Sequence, residues 1–239
     1  MRFDNRNNDQ IREIKITPNF QQNPAGSVMI EAGNTRIICS ATIVDEVPPW
    51  MRAQKVKGGW ITAEYQLLPT STNTRVKRER KGTSGRTQEI QRLIGRSLRA
   101  ACNLEKLENK TIYIDCDVID ADGGTRCAGI TGSMIALRIA IAKFLKEKKL
   151  TEDPIKYNIA AISVGIIDET ELLDLCYEED SNAEVDMNVI MTENFEIVEI
   201  QGTAEGKTFT RNQMNNMLDL AEKGLSELFK IQNNISKKF

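Results

Sequence analysis

Histidine is absent from this sequence of 239 residues. Its absence excludes Ser-His-Asp and Cys-His nucleophile systems, histidine acid–base catalysis and zinc bound through histidine. Any chemistry must therefore rest on carboxylates, on arginine and lysine, on backbone amides, or on a metal bound through oxygen.

The sequence also lacks paired cysteines, a signal peptide and an uninterrupted apolar run. Its five cysteines show no CxxC and no paired spacing, a pattern typical of reduced, buried thiols in the cytoplasm. The first ten residues are polar and charged, unlike a signal peptide. Arg138 and Lys143 interrupt the longest apolar stretch, residues 130–145, so we expect a buried helix too short and too charged to span a bilayer. We therefore predict a cytoplasmic protein with no membrane partner.

The composition is that of a globular protein, with 40% hydrophobic and 28% charged residues. The 32 basic and 34 acidic residues nearly balance, but they are segregated along the chain. Residues 75–99 contain nine Lys/Arg and two acids, whereas residues 168–205 contain thirteen acids and no Lys or Arg. The segregation indicates separate binding roles, although two solvated faces would give the same pattern.

Hydrophobic periodicity predicts an α+β fold, because strands and helices alternate in groups. Runs rich in Ile, Val and Thr predict strands at 27–32, 35–44, 60–68, 111–119, 157–167, 171–177, 183–191 and 195–200. Helical spacing predicts helices at about 87–102, 127–148 and 212–229, followed by a frayed tail. The order of elements predicts one domain, residues 1–239, made of two similar halves that join near residues 150–156.

A glycine turn between a predicted strand and helix is the first candidate site, with the sequence Asp122-Gly123-Gly124-Thr125-Arg126. Two glycines let the backbone approach a ligand, and the helix start supplies free N–H groups and a positive dipole end. Thr125 can cap the helix or donate its hydroxyl, and Arg126 adds a forked cation. The pattern indicates a phosphate cradle, and a tight turn capped by the threonine is the alternative.

A second glycine turn, Ser84-Gly85-Arg86-Thr87, begins the next basic helix. Arg86 lies in the first turn, where the helix dipole does not favour a cation. It also lies about 120° around the helix from the stripe of Arg92, Arg96 and Arg99. If Arg86 and Arg126 converge, they form a phosphate clamp in which each bond contributes about 1.5–3 kcal/mol. The alternative is an ordinary surface arginine.

Carboxylates of the acidic segment form the third candidate site. In a strand at 183–191, Val185, Met187 and Val189 would face the core, and Glu184, Asp186 and Asn188 would share the opposite face. Asp180 precedes them at a turn. Oxygen ligands of this kind suit Mg²⁺ or Mn²⁺, and the lack of a base within the segment favours a cation over a merely polar strand face.

Two further motifs concern phosphates. The loop at 75–81 contains Arg75, Arg78 and Arg80 and could follow a nucleic-acid backbone, but without aromatic residues it does not indicate base stacking. It could equally be a solvated loop. The segment 202–208 resembles a Walker A loop but has three residues, not four, between its glycines, so a plain turn is the better interpretation.

The whole chain resembles the ribonuclease PH family of phosphorolytic 3′→5′ exoribonucleases. The motifs that support the resemblance are GWITAEY at 59–65, SGRTQEIQRLIGRSLRA at 84–100, ADGGTR at 121–126, EVDMNVIMT at 184–192 and QGTAEG at 201–206. The resemblance implies an α+β fold of the ribosomal-protein-S5-domain-2-like type, the RNase PH fold, with mixed sheets packed against helices. It also implies a homohexamer built as a trimer of dimers.

The resemblance assigns roles to residues that match the family motifs. Inorganic phosphate, the co-substrate, would be bound by Arg86, Gly124, Thr125 and Arg126. Asp180 and Asp186 would be the catalytic pair and would hold Mg²⁺, with Mn²⁺ as the alternative. RNA-binding residues would be Arg75, Arg78, Arg80, Arg92, Arg96 and Arg99. The RNA substrate would be transfer-RNA precursors trimmed at their 3′ ends, with ribosomal RNA as a further substrate.

The sequence departs from the family pattern at several positions. Thr70 and Asn73 stand where arginine and histidine are common, and residues 2–6 read RFDNR where the family has proline and glycine at the third and fifth positions. Two other functions stay open. A ring subunit without activity that binds RNA or partners would be expected to lose the arginines or aspartates, which are present here. A phosphotransferase that uses 202–208 would need saturable ATP binding.

Overall fold

A computed structural model describes residues 2–205, 207–237 and 239 of the chain. The strands among these residues are β1 (Ile14–Pro18), β2 (Gly26–Ala32), β3 (Thr35–Val44), β4 (Trp60–Leu67), β5 (Thr111–Asp120), β6 (Ile159–Ile167), β7 (Thr170–Leu173), β8 (Val185–Thr192) and β9 (Ile197–Ala204). The helices are α1 (Pro49–Gln54), α2 (Gly85–Ala101), α3 (Thr125–Lys146), α4 (Tyr177–Asp180) and α5 (Arg211–Ser236), with a 3₁₀ turn at Leu104–Leu107.

The strands form two sheets. The first has the order β1-β2-β3-β5-β4, in which only the β4–β5 pair is parallel among the paired strands described. The second has the order β7-β6-β8-β9 and is antiparallel. The predicted alternation of β5 is confirmed, since Ile112, Ile114, Cys116 and Val118 are buried. The α+β prediction with mixed sheets and helices is therefore confirmed.

Helix α3 lies at the centre of the molecule. It packs against β2 and β3 of the first sheet and against β6 of the second, and most of its residues are buried. By length and composition alone it could cross a membrane, because 18 of its residues have a mean hydropathy of 1.5, so the expectation that it fails this test was wrong. Because 72% of that window is buried inside the protein, the contacts of α3 are those of a core helix.

Several elements differ from the sequence expectation. The strand expected at 171–177 ends at Leu173, because Asp174 has a positive φ of 54° that leaves the extended conformation. The Glu179 carboxylate then accepts a hydrogen bond from the Cys176 N–H at 3.0 Å and closes the helical turn α4. Edge strand β1 and the short helix α1 had no strong periodicity and were not predicted. The tail expected to fray continues α5 through Ser236, because Ile235 is buried against the first core. These differences matter for the site, because α4 ends at Asp180.

Candidate active site

The loop from Asp122 to Gly124 joins β5 to α3 and has the geometry of an anion cradle. Gly123 and Gly124 have φ angles of +73° and +63°, which strain any residue other than glycine. Gly124 is the N-cap of α3, and within the described chain no side chain caps this terminus. The first N–H groups of α3 therefore stay available to an anion.

Thr125 is the first residue of α3 and not its cap. Its hydroxyl hydrogen-bonds the Tyr65 hydroxyl of β4, with the two oxygens 2.8 Å apart. The interpretation of this turn as one closed by a capping threonine is therefore wrong. Tyr65 is a neighbour that the sequence analysis missed, although it lies within the GWITAEY motif.

Arg86 and Arg126 lie on the same side of the molecule. Ser84 caps α2 by accepting a hydrogen bond from the Thr87 N–H at 3.2 Å. Arg86 is the second residue of α2 and therefore lies in its first turn, as predicted. Arg126 lies in the first turn of α3 and contacts Glu89 of α2, with Nη2 3.3 Å from Oε2. The charges of both guanidinium groups oppose the rise in the pKa values of Asp180 and Asp186 that burial causes. Both arginines therefore act on the same two carboxylates.

Asp180 and Asp186 lie near each other, because the charge of Asp180 acts on Asp186. Each of the two carboxylates is partly buried. Burial, followed by the charge of Asp180, raises the pKa of Asp186 to about 6, against the opposing effect of the two arginines. Burial likewise raises the pKa of Asp180. Asp186 Oδ1 is buried without a hydrogen-bond partner among the described residues. Such an oxygen is costly unless a proton, a cation or a substrate group binds it.

The alternation of β8 is confirmed for its core face, where Val185, Met187 and Val189 are buried. Its other face is only partly open. Asn188 is 4% exposed, and its Oδ1 accepts a hydrogen bond from the Cys127 thiol at 3.0 Å. Glu184 binds the Lys207 ammonium at 2.6 Å. Asp186 is therefore the residue of this face that stays open to a ligand.

The acidic segment was expected to lack basic partners, and this expectation was wrong. Arginines from distant parts of the sequence, and Lys207 just beyond the segment, pair with four of its carboxylates, and periodicity could not reveal these contacts. The pairs are Arg12 with Asp174, Arg2 with Glu179, Lys207 with Glu184 and Arg96 with Glu199. Asp180 and Asp186 do not share in these contacts, which sets them apart from the rest of the segment.

The arginines predicted to bind RNA have unequal environments. Three lie exposed in the irregular segment before α2, namely Arg75, Arg78 and Arg80. Arg92 is exposed on α2. Arg96 binds Glu199 of β9, and Arg99 donates to the Ile61 carbonyl at 2.8 Å and stacks over Trp60. Arg96 and Arg99 therefore have intramolecular partners that compete with RNA.

The Walker-like segment does not form a phosphate loop before a helix. Gly202 lies within β9, opposite Met187, and α5 begins only at Arg211. Gly206, the second glycine of the motif, lies outside the described residues. The rejection of a Walker A loop agrees with this placement, whereas the plain turn expected from Gly202 onward is wrong for Gly202 itself, which lies in a strand.

A metal at this site would have few protein ligands. Among the described residues, no group of three or more His, Cys, Asp or Glu side chains is arranged to hold a metal ion. Two carboxylates, one with an unpartnered buried oxygen, nevertheless fit Mg²⁺, which binds through one or two carboxylates and completes its shell with water and substrate oxygens.

The fold and the site together define an α+β protein in which two arginines and a helix N-terminus lie near two aspartates. Residues 10–142 match the 3′ exoribonuclease family, domain 1, and residues 157–224 match domain 2 of that family. The chain belongs to the 3′ exoribonuclease family.

Individual relatives agree with this assignment. The chain is 55% identical over 233 residues, 97% of each sequence, to a protein of Syntrophomonas wolfei named ribonuclease PH. Among solved structures it resembles rice Rrp46 (TM-score 0.78, 16% identity, 98% of this chain and all of that one). It also resembles the Archaeoglobus fulgidus exosome with RNA bound to the active site (TM-score 0.80, 21% identity, 96% of this chain and 91% of that one). The likeness to ribonuclease PH supports a phosphate-dependent 3′→5′ exoribonuclease, and the likeness to the exosome subunits shows the fold.

Proposed function

We propose that this protein trims the 3′ ends of transfer-RNA precursors by phosphorolysis, with phosphate held by Arg86, Gly124, Thr125 and Arg126. The observation that carries the proposal is that both arginines act electrostatically on Asp180 and Asp186, next to a helix N-terminus that no side chain caps among the described residues. The same site would serve ribosomal RNA, since it recognises a terminal phosphodiester.

Phosphate is the nucleophile, which suits a chain without histidine. A phosphate oxygen attacks the phosphorus of the last phosphodiester, and the bond to the 3′ oxygen of the penultimate nucleotide breaks. The products are a nucleoside diphosphate and an RNA one nucleotide shorter with a free 3′ hydroxyl. The reverse reaction adds a nucleotide from a diphosphate. The contribution of the protein is to position the phosphate and to stabilise charge.

The leaving 3′ oxygen needs a proton, and Asp186 is suited to supply it. Its pKa of about 6 keeps part of the carboxyl groups protonated near neutral pH, as a general acid requires. In the alternative role, the ionised pair of Asp180 and Asp186 would hold Mg²⁺ or Mn²⁺, which when bound would offset negative charge in the transition state. The unpartnered Oδ1 of Asp186 supports both uses.

The RNA beyond its last nucleotide would lie along the basic segment before α2. Arg75, Arg78 and Arg80 of this segment, together with Arg92 on α2, are exposed and can bind phosphates of the RNA backbone. Thr70 and Asn73, at the start of this segment, replace residues that would add positive charge, so its affinity for RNA should depend on these arginines.

We propose that the two halves act as one domain with a junction near residues 150–156, and that six copies assemble as a trimer of dimers. Helix α3 packs against both sheets and supports the first proposal. The relatives whose structures it resembles include exosome assemblies, which supports the second. The five buried free cysteines support a cytoplasmic location. Light scattering coupled to gel filtration tests the sixfold assembly.

The deciding experiment incubates the protein and Mg²⁺ with a transfer-RNA precursor that has extra 3′ nucleotides, with and without phosphate. Nucleoside diphosphates released only with phosphate are the expected result. Monophosphates released without phosphate would mean hydrolysis and would contradict the proposal. RNA that binds without release of nucleotides would favour an inactive ring subunit.

A further inference from the structure

We propose that Arg12 is a positioning residue that holds the phosphate-binding loop, residues 122–126, against the segment that leads to Asp180. The proposal rests on the proposed function, since it assumes that this loop binds phosphate. It assigns a role to an arginine that none of the family motifs quoted above contains.

Arg12 is buried (5% exposed), and both its guanidinium group and its backbone N–H donate hydrogen bonds. Its Nη2 and Nε donate to Asp174 Oδ1 and Oδ2 at 2.7 and 3.0 Å, and its backbone N–H donates to Oδ2 at 2.8 Å. Its Nη1 donates to the Asp122 carbonyl at 2.5 Å. One side chain therefore connects the loop before α3 to a carboxylate of the second half.

Asp174 is well placed to transmit this position to the acidic pair. It is buried, its N–H donates to the Ser163 carbonyl of β6 at 2.7 Å, and it lies two residues before Cys176, where α4 begins. Burial alone would raise the pKa of Asp174, but Arg12 holds it below its usual value, so the pair stays ionised at neutral pH. Helix α4 is one turn long and ends at Asp180.

The loop also packs directly on this segment. A Cβ on Gly123 would lie 2.6 Å from the Leu175 carbonyl oxygen, and a Cβ on Gly124 would lie 2.8 Å from Arg12 Nη2. The Asp122 carboxylate accepts the Tyr177 N–H at 3.2 Å. The loop and α4 are therefore in backbone contact, and their spacing is fixed.

Arg12 also orients the loop. It binds the Asp122 carbonyl, while the Thr35 hydroxyl donates to the Gly123 carbonyl at 2.8 Å. Because C=O and N–H point in opposite directions across a trans peptide, holding these carbonyls fixes where the next two N–H groups point. Buried ion pairs often add little net stability, so a bidentate pair here is better explained by position than by stability.

The test compares Arg12→Lys and Arg12→Ala with the wild-type protein in phosphorolysis assays that vary phosphate and RNA separately. Because a misplaced cradle weakens phosphate binding, Arg12→Ala should raise KM for phosphate, lower kcat/KM for phosphate about ten- to a hundredfold and leave KM for RNA within about twofold. Arg12→Lys keeps the positive charge but loses the bidentate geometry of the guanidinium group, so its effect on phosphate kinetics should be intermediate. If Arg12→Ala fails to fold, Arg12→Lys alone decides.

The matched control is Asn158→Ala, which removes another buried side chain, one that lies immediately before β6 and donates to Glu193 and Asn233. It should lower Tm and leave both KM values unchanged. Arg12 variants that lower Tm with an unchanged phosphate KM would overturn the inference.

Arg86→Ala in the same assay distinguishes a failure of the role proposed for Arg12 from a failure of the proposed phosphate site. If Arg86→Ala raises the phosphate KM and the Arg12 variants do not, the inference alone fails. If Arg86→Ala has no effect on phosphate either, the phosphate site itself is wrongly assigned, and the inference is overturned with it.

Discussion

Asp186→Asn should abolish turnover and at the same time stabilise the folded chain at pH 8. Burial and the Asp180 charge raise the pKa of Asp186 from its ordinary value near 3.8 to about 6. At 1.36 kcal/mol for each pKa unit, the ionised carboxylate destabilises the fold by about 3 kcal/mol above pH 6. Partial exposure and the unpartnered amide atom that replaces Oδ1 reduce the expected gain to about 1–2 kcal/mol.

The pH dependence follows from the sign of the shift. A carboxyl whose pKa is raised on folding destabilises the folded state above its folded pKa, and the penalty disappears as pH falls from about 6 towards 4. Differential scanning calorimetry without phosphate and with a chelator should show a Tm about 2–6 °C above wild type at pH 8 and a gap that closes below pH 5. A variant no more stable than wild type at pH 8, or a gap independent of pH, would refute the reasoning, and normal turnover would remove Asp186 from the site.

Three further substitutions test other parts of the site. Arg86→Ala should raise the KM for phosphate about tenfold or more while RNA affinity, measured by fluorescence anisotropy, stays nearly unchanged; an unchanged phosphate KM would contradict its assignment. Gly123→Ala should lower the free energy of unfolding by about 2 kcal/mol or more in denaturant titrations, because its φ is +73° and a Cβ would meet the Leu175 carbonyl; wild-type stability would show that the loop can relax. Lys207→Ala should retain phosphorolysis, because its side chain is exposed and binds Glu184 at the sheet edge, whereas loss of a saturable ATP-binding signal in this variant would restore the phosphotransferase interpretation.

Much of the fold could be predicted because the responsible signals are local. The alternation in β5 and β8 follows from neighbouring residues, and so does the apolar spacing of α2. The glycine pair at 123 and 124 likewise indicated a turn, and the structure has a turn there in which both glycines have positive φ angles. These features need no knowledge of what packs against them.

The remainder depends on contacts between distant residues. Arg2 and Arg12 are buried only because Glu179 and Asp174, more than 160 positions away, neutralise them. Nothing in the sequence near either arginine marks it as buried. The signal that existed was a charge imbalance: thirteen acids without a base within residues 168–205 require neutralising partners elsewhere. The same imbalance was interpreted as a sign of a cation, which holds as a hypothesis only for Asp180 and Asp186.

The site contains both arginines and aspartates, and their opposite charges would couple phosphate binding to the uptake of a proton or a cation. In the free protein Arg86 and Arg126 partly offset the charges of Asp180 and Asp186. A bound phosphate and the RNA phosphodiester would add further negative charge and occupy those arginines, so the aspartates would lose their compensation. Their affinity for a proton or a divalent cation must then rise, and by linkage proton or cation uptake must strengthen phosphate binding by the same factor. A histidine is not needed for such coupling, because burial and the Asp180 charge already raise the pKa of Asp186 to about 6 beside the two arginines.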